Sequence, residues 1–372
     1  VAEAIEPDLA ERIARARAEH GLTQEELASD IGLARSALAK IETGARGVSA
    51  LELARIAEAL DVRMEWFVED APEPVISRRN VRDPGAPSPV IDRVVERVAR
   101  EFEFVAQESG LHLESVEGEV PDRPESNTAV EQAAASTRLL LGLEEHEAAY
   151  RLERLTERIG LFAFSLELGS ETADAASILL AQDAGVAVIN GSLSTGRRRL
   201  ALAHELGHYR YQDEYSVDWR LEDQSGPWEA ALDRFARAIL LPEAALTERW
   251  AEIAGQQGAR QAAVRIGSEF RVDMSTLARR LHELGVIPGG DAQAIRSVRT
   301  TRADIVEQDL LVADELSPPS IPHLYSSALL TLYKSESISA ARAVELSFGV
   351  LEEADLPALP SLPENAIWSF TS

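Results

Sequence analysis

The stretch Leu200-Ala201-Leu202-Ala203-His204-Glu205-Leu206-Gly207-His208-Tyr209 decides how the rest of the chain is read. It contains the pattern His-Glu-x-x-His. On an α-helix, residues four apart share a face and lie about 6 Å apart along the axis. His204 and His208 can therefore hold one zinc ion together, with Glu205 beside them to take a proton from a water at that ion. Leu200, Ala203 and Leu206 offer an apolar side for packing, and Arg197, Arg198 and Arg199 are expected to mark an exposed helix start. The plain alternative is a surface helix with two ordinary histidines, because a pentapeptide of this kind also arises by chance.

A catalytic zinc site needs a third protein ligand and an open position for water. Between Trp228 and Pro242, the residues Leu232, Phe235, Ala236, Ile239 and Leu240 follow a helical period, and Pro242 ends it. Glu229 lies near the start of this helix, and Asp233 lies one turn later on the same face. Glu229 can ligate the metal while Asp233 accepts the free N–H of a ligand histidine. The alternative leaves both carboxylates in solvent. For two histidines and one carboxylate zinc is the leading metal, with manganese able to substitute.

From Gly185 to Pro242 the sequence resembles the ImmA/IrrE family of metallopeptidases. The resemblance rests on the strand Val186-Ala187-Val188-Ile189-Asn190, an Arg-rich turn, the His-Glu-x-x-His helix, and Glu229, Phe235, Ala236, Leu240, Leu241 and Pro242. Leu232 and Asp233 replace the family's usual Ala and Asn, and Asp keeps an acceptor there. The Glu-x-x-x-Asp spacing is also similar to thermolysin-like enzymes. The resemblance spans Thr128 to about Pro288. It implies a zincin-like core with His204, His208 and Glu229 on the metal, Glu205 as general base and Asp233 behind a histidine. It also implies a repressor-like or antitoxin-like protein substrate, cut in response to stress or foreign DNA.

Residues 8–70 read as a bundle of short helices. Leu9, Ile13 and Ala16 form one apolar face, and Gly21 stops the first helix. Thr23-Gln24-Glu25-Glu26 and Ser49-Ala50-Leu51-Glu52 are capping boxes. The segment resembles the lambda-repressor/Cro-like helix-turn-helix, through Thr-Gln-Glu-Glu-Leu-Ala, Ile-Gly, Lys-Ile-Glu-x-Gly and Ala-x-Ala-Leu. In that geometry the third helix enters the major groove. Arg35, Ser36, Ala39 and Lys40 would then face base edges or phosphates of double-stranded DNA, and Gln24 would meet a phosphate. Between Ala34 and Arg46 the formal charge is +2, from Arg35, Lys40 and Arg46 against Glu42. Retention of the fold for protein interaction is the other reading.

The chain of 372 residues carries no cysteine and a net charge of −26. The first fact excludes disulfides, cysteine catalysis and thiolate metal sites, and fits a reducing interior. The second opposes non-specific binding to nucleic acid, so any DNA contact must come from a local patch. No run is long and apolar enough for a membrane span, and no signal peptide is read at the start, so a bacterial cytoplasm is the expected setting.

Residues 71–127 are expected to be a proline-rich linker plus a connecting helix from Ile91 to Gln107 that serves as spacer, dimer helix or part of the next domain. The peptidase-like domain is set at 128–288. Strands are expected at Leu161–Leu166, Ile178–Leu180 and Val186–Ile189, beside the zinc helix, where an edge strand can hold an extended substrate. His112, His146 and His323 have no partner at ligand spacing. Residues 260–287 echo the N-terminal motif, with Asp273 as an N-cap, and serve as a packing hairpin or a second DNA contact. His282 is a weak candidate for transition-state stabilisation. The segment 289–372 is expected to be a C-terminal helical region of unknown role, and its Trp368-Ser369-Phe370 end to dock on the domain or a partner.

The expected fold is therefore mainly α with a small β-sheet (α+β). The expected protein is a DNA-binding regulator with a zinc peptidase core, and homodimerisation is left open. Its rivals are a regulator whose metal core is structural or inactive, and an antitoxin pairing through the tail.

Overall fold

The computed structural model describes residues 7–19, 22–60, 64, 67, 77–79, 89–111, 120–169, 172–180, 184–212, 227–310 and 314–359. Gly21, His112, most of the proline-rich linker and the Trp368-Ser369-Phe370 end lie outside them. The chain divides into two compact units, 1–72 and 73–372.

The first unit contains four helices among its described residues: α1 (Pro7–Glu19), α2 (Gln24–Asp30), α3 (Arg35–Glu42) and α4 (Ala50–Ala59). Both capping boxes form. Thr23 Oγ1 accepts from the Glu26 N–H at 3.2 Å, and Glu26 accepts from the Thr23 N–H at 2.7 Å. Ser49 and Glu52 do the same at 3.2 and 2.9 Å. Gly32 sits in the left-handed region at φ 72°, which makes the turn between α2 and α3. Ile13, Leu27, Leu38, Ile41, Ile56 and Phe67 close the core.

The second unit is built on a sheet whose faces follow strand alternation. Its core strands are β2 (Leu161–Leu166), β3 (Ala175–Leu179) and β4 (Gly185–Asn190), with β4 central, parallel to β2 and antiparallel to β3. A three-residue strand, β1 (Ser77–Arg79), pairs antiparallel with the free side of β3, giving the order β1-β3-β4-β2. Leu161, Ala163, Ala175, Ala187 and Ile189 face one core, and Phe162, Phe164, Ala176, Ile178, Val186 and Val188 face the other.

The connecting segment forms α5 (Pro89–Ser109), with Pro89 in the first turn, where its missing N–H costs nothing. Val95, Val98, Phe102 and Val105 cover the second face of the sheet. The tail shares that layer through α15 (His323–Lys334) and α16 (Ala340–Leu346). The Phe102 and Tyr325 rings stack at 5.8 Å between centroids. The described residues from 289 to 359 thus contribute to the core of the second unit, and the Ile91–Gln107 segment is part of that core.

On the first face lie α6 (Asn127–Leu140), α7 (Leu152–Glu157), α8 (Thr195–Tyr211) and α9 (Pro227–Leu240). After them come α10 (Glu243–Gln257), α11 (Ala259–Glu269), α12 (Met274–Glu283), α13 (Gly289–Arg296) and α14 (Arg302–Glu307). Asp273 caps α12 by accepting from the Thr276 N–H at 2.8 Å. The α11–α12 hairpin packs into the core through Ala263, Ile266, Phe270, Leu277 and Leu281. Its basic residues are largely taken up inside the molecule: Arg271 pairs with Glu315, Arg279 with Glu283 at 2.9 Å, and buried Arg280 with Glu131 at 2.6 Å.

The start of α8 corrects an expectation. Arg198 and Arg199 are buried, each held by a carboxylate distant in sequence. Arg197 pairs with Asp174 at 2.7 Å, Arg198 with Asp314 and Arg199 with Glu315. Arg199 also donates to the Ala149 carbonyl at 2.7 Å. Removing one partner of a buried pair strands the other charge in a medium that solvates it poorly. Glu315→Ala is therefore expected to cost about 3–5 kcal/mol, read as a lower urea midpoint with an unchanged slope.

Candidate metal centre

Two helices and one strand build the site. Ser194 precedes α8, which enters between the sheet and α9 with both faces covered, so its candidate ligands His204 and His208 are almost fully buried. Glycine makes two close approaches possible. A Cβ on Gly196 would stand 2.5 Å from the Asp273 amide nitrogen, and one on Gly207 would stand 2.7 Å from Leu232 Cδ2. Gly207 thereby lets α9 come near enough for Glu229 to reach the histidines.

His204 Nε2 and His208 Nε2 face each other at 3.1 Å. Glu229 places its carboxylate oxygens 3.2 Å from His204 Nε2 and 3.8 Å from His208 Nε2. Ligand atoms each about 2.1 Å from one tetrahedral ion lie about 3.4 Å apart, so this donor set matches the span of a single zinc ion. These three residues form the metal-compatible cluster found among the described residues. His204 Nδ1 lies 3.1 Å from Asp233 Oδ1. That contact fixes a tautomer with Nδ1 protonated and leaves the Nε2 lone pair for a metal.

Glu205 is completely buried. Its Oε2 accepts from the Ser177 hydroxyl at 2.6 Å, and its Oε1 has no hydrogen-bond partner among the described residues. A buried carboxylate oxygen without a donor is costly unless something else visits it. The sequence reading missed Ser177, because it began that strand at Ile178. The strand starts at Ala175, and its alternation points Ser177 at α8. A single hydroxyl within Ala175-Ala176-Ser177-Ile178 was the available signal.

The other described histidines lie elsewhere. His146 sits on the surface 3.3 Å from Glu248, His282 Nδ1 lies 3.3 Å from the Ile287 carbonyl, and exposed His323 opens α15.

In the first unit, Arg35, Ser36 and Lys40 are exposed on α3, and Ala39 is half-buried between them. Gln24 donates to Glu42 at 2.7 Å, and Arg17 holds the same carboxylate at 2.6 Å. Gln24 is thus already engaged inside the unit by one of its amide N–H groups.

Fold and site define a class: a helix-turn-helix head followed by a core of the metallopeptidase type. Residues 13–67 match the helix-turn-helix family, and residues 156–282 match the IrrE N-terminal-like domain, a peptidase family. The chain has the architecture of an ImmA/IrrE peptidase with an N-terminal helix-turn-helix. No curated protein matches it. Among solved structures, Bacillus thuringiensis PlcR in complex with the peptide PapR7 and DNA aligns at 16% identity over 94% of this chain and 97% of that one. Its TM-score of 0.17 is too low to support any structural argument.

Proposed function

We propose that the second unit is a metal-dependent endopeptidase and that the first directs it, or its regulatory output, to DNA. The observation that carries this is the convergence of His204, His208 and Glu229 beside a buried Glu205 with one unpartnered oxygen. Purely structural binding needs the three ligands and gives no reason to bury an acid at Glu205. Zinc suits the donor set best, and manganese is the natural substitute. A divalent ion held there polarises a peptide carbonyl and acidifies water.

The chain's own residues do the rest. Glu205 Oε1 takes a proton from the attacking water as its oxygen bonds to the carbonyl carbon. The same oxygen then gives the proton to the departing amine as the C–N bond breaks. Ser177 holds the other oxygen of Glu205 and so fixes the direction of the first. Asp233 keeps His204 in its ligating tautomer. The substrate class that fits a peptidase joined to a repressor-like head is a repressor or antitoxin protein, cut in a stress or mobile-element response in the cytoplasm. Incubating the zinc-loaded protein with proteins encoded beside its gene tests this reading. Discrete fragments are expected, and intact partners under all metals would overturn it.

The head is expected to read a specific DNA site through Arg35 and Lys40. Replacing both with Ala should abolish a specific gel shift and leave metal content unchanged. Binding that persists with an unaltered salt slope would move the interface to another surface. No helix among the described residues is long and apolar enough to cross a membrane.

A further inference from the structure

We propose that the chain's own segment Ser77–Arg79 occupies the peptide-binding edge of the core and must leave before a substrate can pair there; this rests on the peptidase reading above. The segment lies in the linker that follows the helix-turn-helix unit and runs antiparallel to β3, with Ser77 opposite Ser177, Arg78 opposite Ala176 and Arg79 opposite Ala175. Ser177 is the residue that donates to Glu205. The strand thus lies, by register, against the position nearest the base. It also lies against α8, the helix that carries His204 and His208. Ser177, Ile178 and Leu179 share a small pocket with His208, so β3 itself borders one of the candidate metal ligands.

A peptide added to a free sheet edge gains main-chain hydrogen bonds without needing a particular sequence. β3 has such an edge, because β4 takes its other side. β1 uses that edge as an extended substrate would. Three residues offer only a few hydrogen bonds, so the pairing is reversible. Covalent tethering offsets that weakness, since a short linker presents its segment at an effective concentration on the order of mM. A peptide in trans must outcompete that, unless an event at the head pulls the linker away.

The test uses the full chain with Glu205→Gln, loaded with zinc, so that nothing is cut. The probe is a labelled synthetic peptide of residues 73–86. Adding Ser77→Pro and Arg78→Pro removes ladder donors from β1 whichever residue supplies them. The peptide should then bind at least about tenfold more tightly than to the chain with its own strand intact. Amides of Ala175–Leu179 should exchange faster in the proline variant and regain protection when the peptide is added. A second variant, with residues 75–80 replaced by Gly and Ser, should behave alike, and unchanged metal content checks that the core is intact. Equal peptide affinity in all three proteins, or equal exchange at β3, would overturn the proposal. A cut within 73–86 in the zinc-loaded wild type would also overturn it, making the segment a substrate. Both main readouts are binding measurements, so they stand even if no protein is ever cleaved, an outcome that would instead remove the peptidase reading.

Discussion

Replacing His204 with alanine is expected to take metal content from one divalent ion per chain to near zero. His204 is the residue on which the cluster turns. Its Nε2 lies within 3.2 Å of both His208 and Glu229, and its Nδ1 is the atom beside Asp233. The substitution removes a donor and also the ring nitrogen that Asp233 holds. His208 and Glu229 then offer two donors, one short of the three-ligand set that leaves a single open position. A ligand that binds only the folded state stabilises it, by about 2.7 kcal/mol at a concentration one hundred times its dissociation constant. Wild type should therefore melt at a higher temperature with added zinc, and His204→Ala should show no such rise. Elemental analysis and paired melting curves check this. Equal metal content in the two proteins would remove the assigned site.

The candidate metal cluster was legible because most of it is local. Two histidines four residues apart on a helix announce a shared face without tertiary knowledge. Glu229 and Asp233 were found on a second helix by period and resemblance, and both lie at the cluster. Ser177 was not found, because its role depends on which face of a buried strand it occupies, and a shift in strand start hides that. The arginines before His204 were read as solvent-facing because a run of three charges usually is. Each is matched instead by a carboxylate far away in sequence: Asp174, Asp314 and Glu315. Two of those acids, Asp314 and Glu315, lie in the segment left without a role, so the buried helix start could not be read until that segment was seen to pack on the core.

Glu205→Gln is expected to keep the metal and abolish proteolysis. Gln is nearly isosteric with Glu, and it can still accept the Ser177 hydrogen bond through its amide oxygen. Its NH2 would take the place of the unpartnered Oε1, a donor where a proton acceptor is needed. The loss of a general base typically costs about a hundredfold to ten-thousandfold in rate. His204, His208 and Glu229 are untouched, so zinc content should match wild type. The helix-turn-helix unit has its own core, so specific DNA binding should also match. The two variants together separate the readings. If both Glu205→Gln and His204→Ala abolish cleavage in vitro and regulation in the cell, the site is catalytic. If Glu205→Gln regulates normally and His204→Ala does not, the metal is structural and the base is idle. If both regulate normally, the core contributes neither chemistry nor metal-held structure to regulation, and the output belongs to the DNA-binding head or the tail.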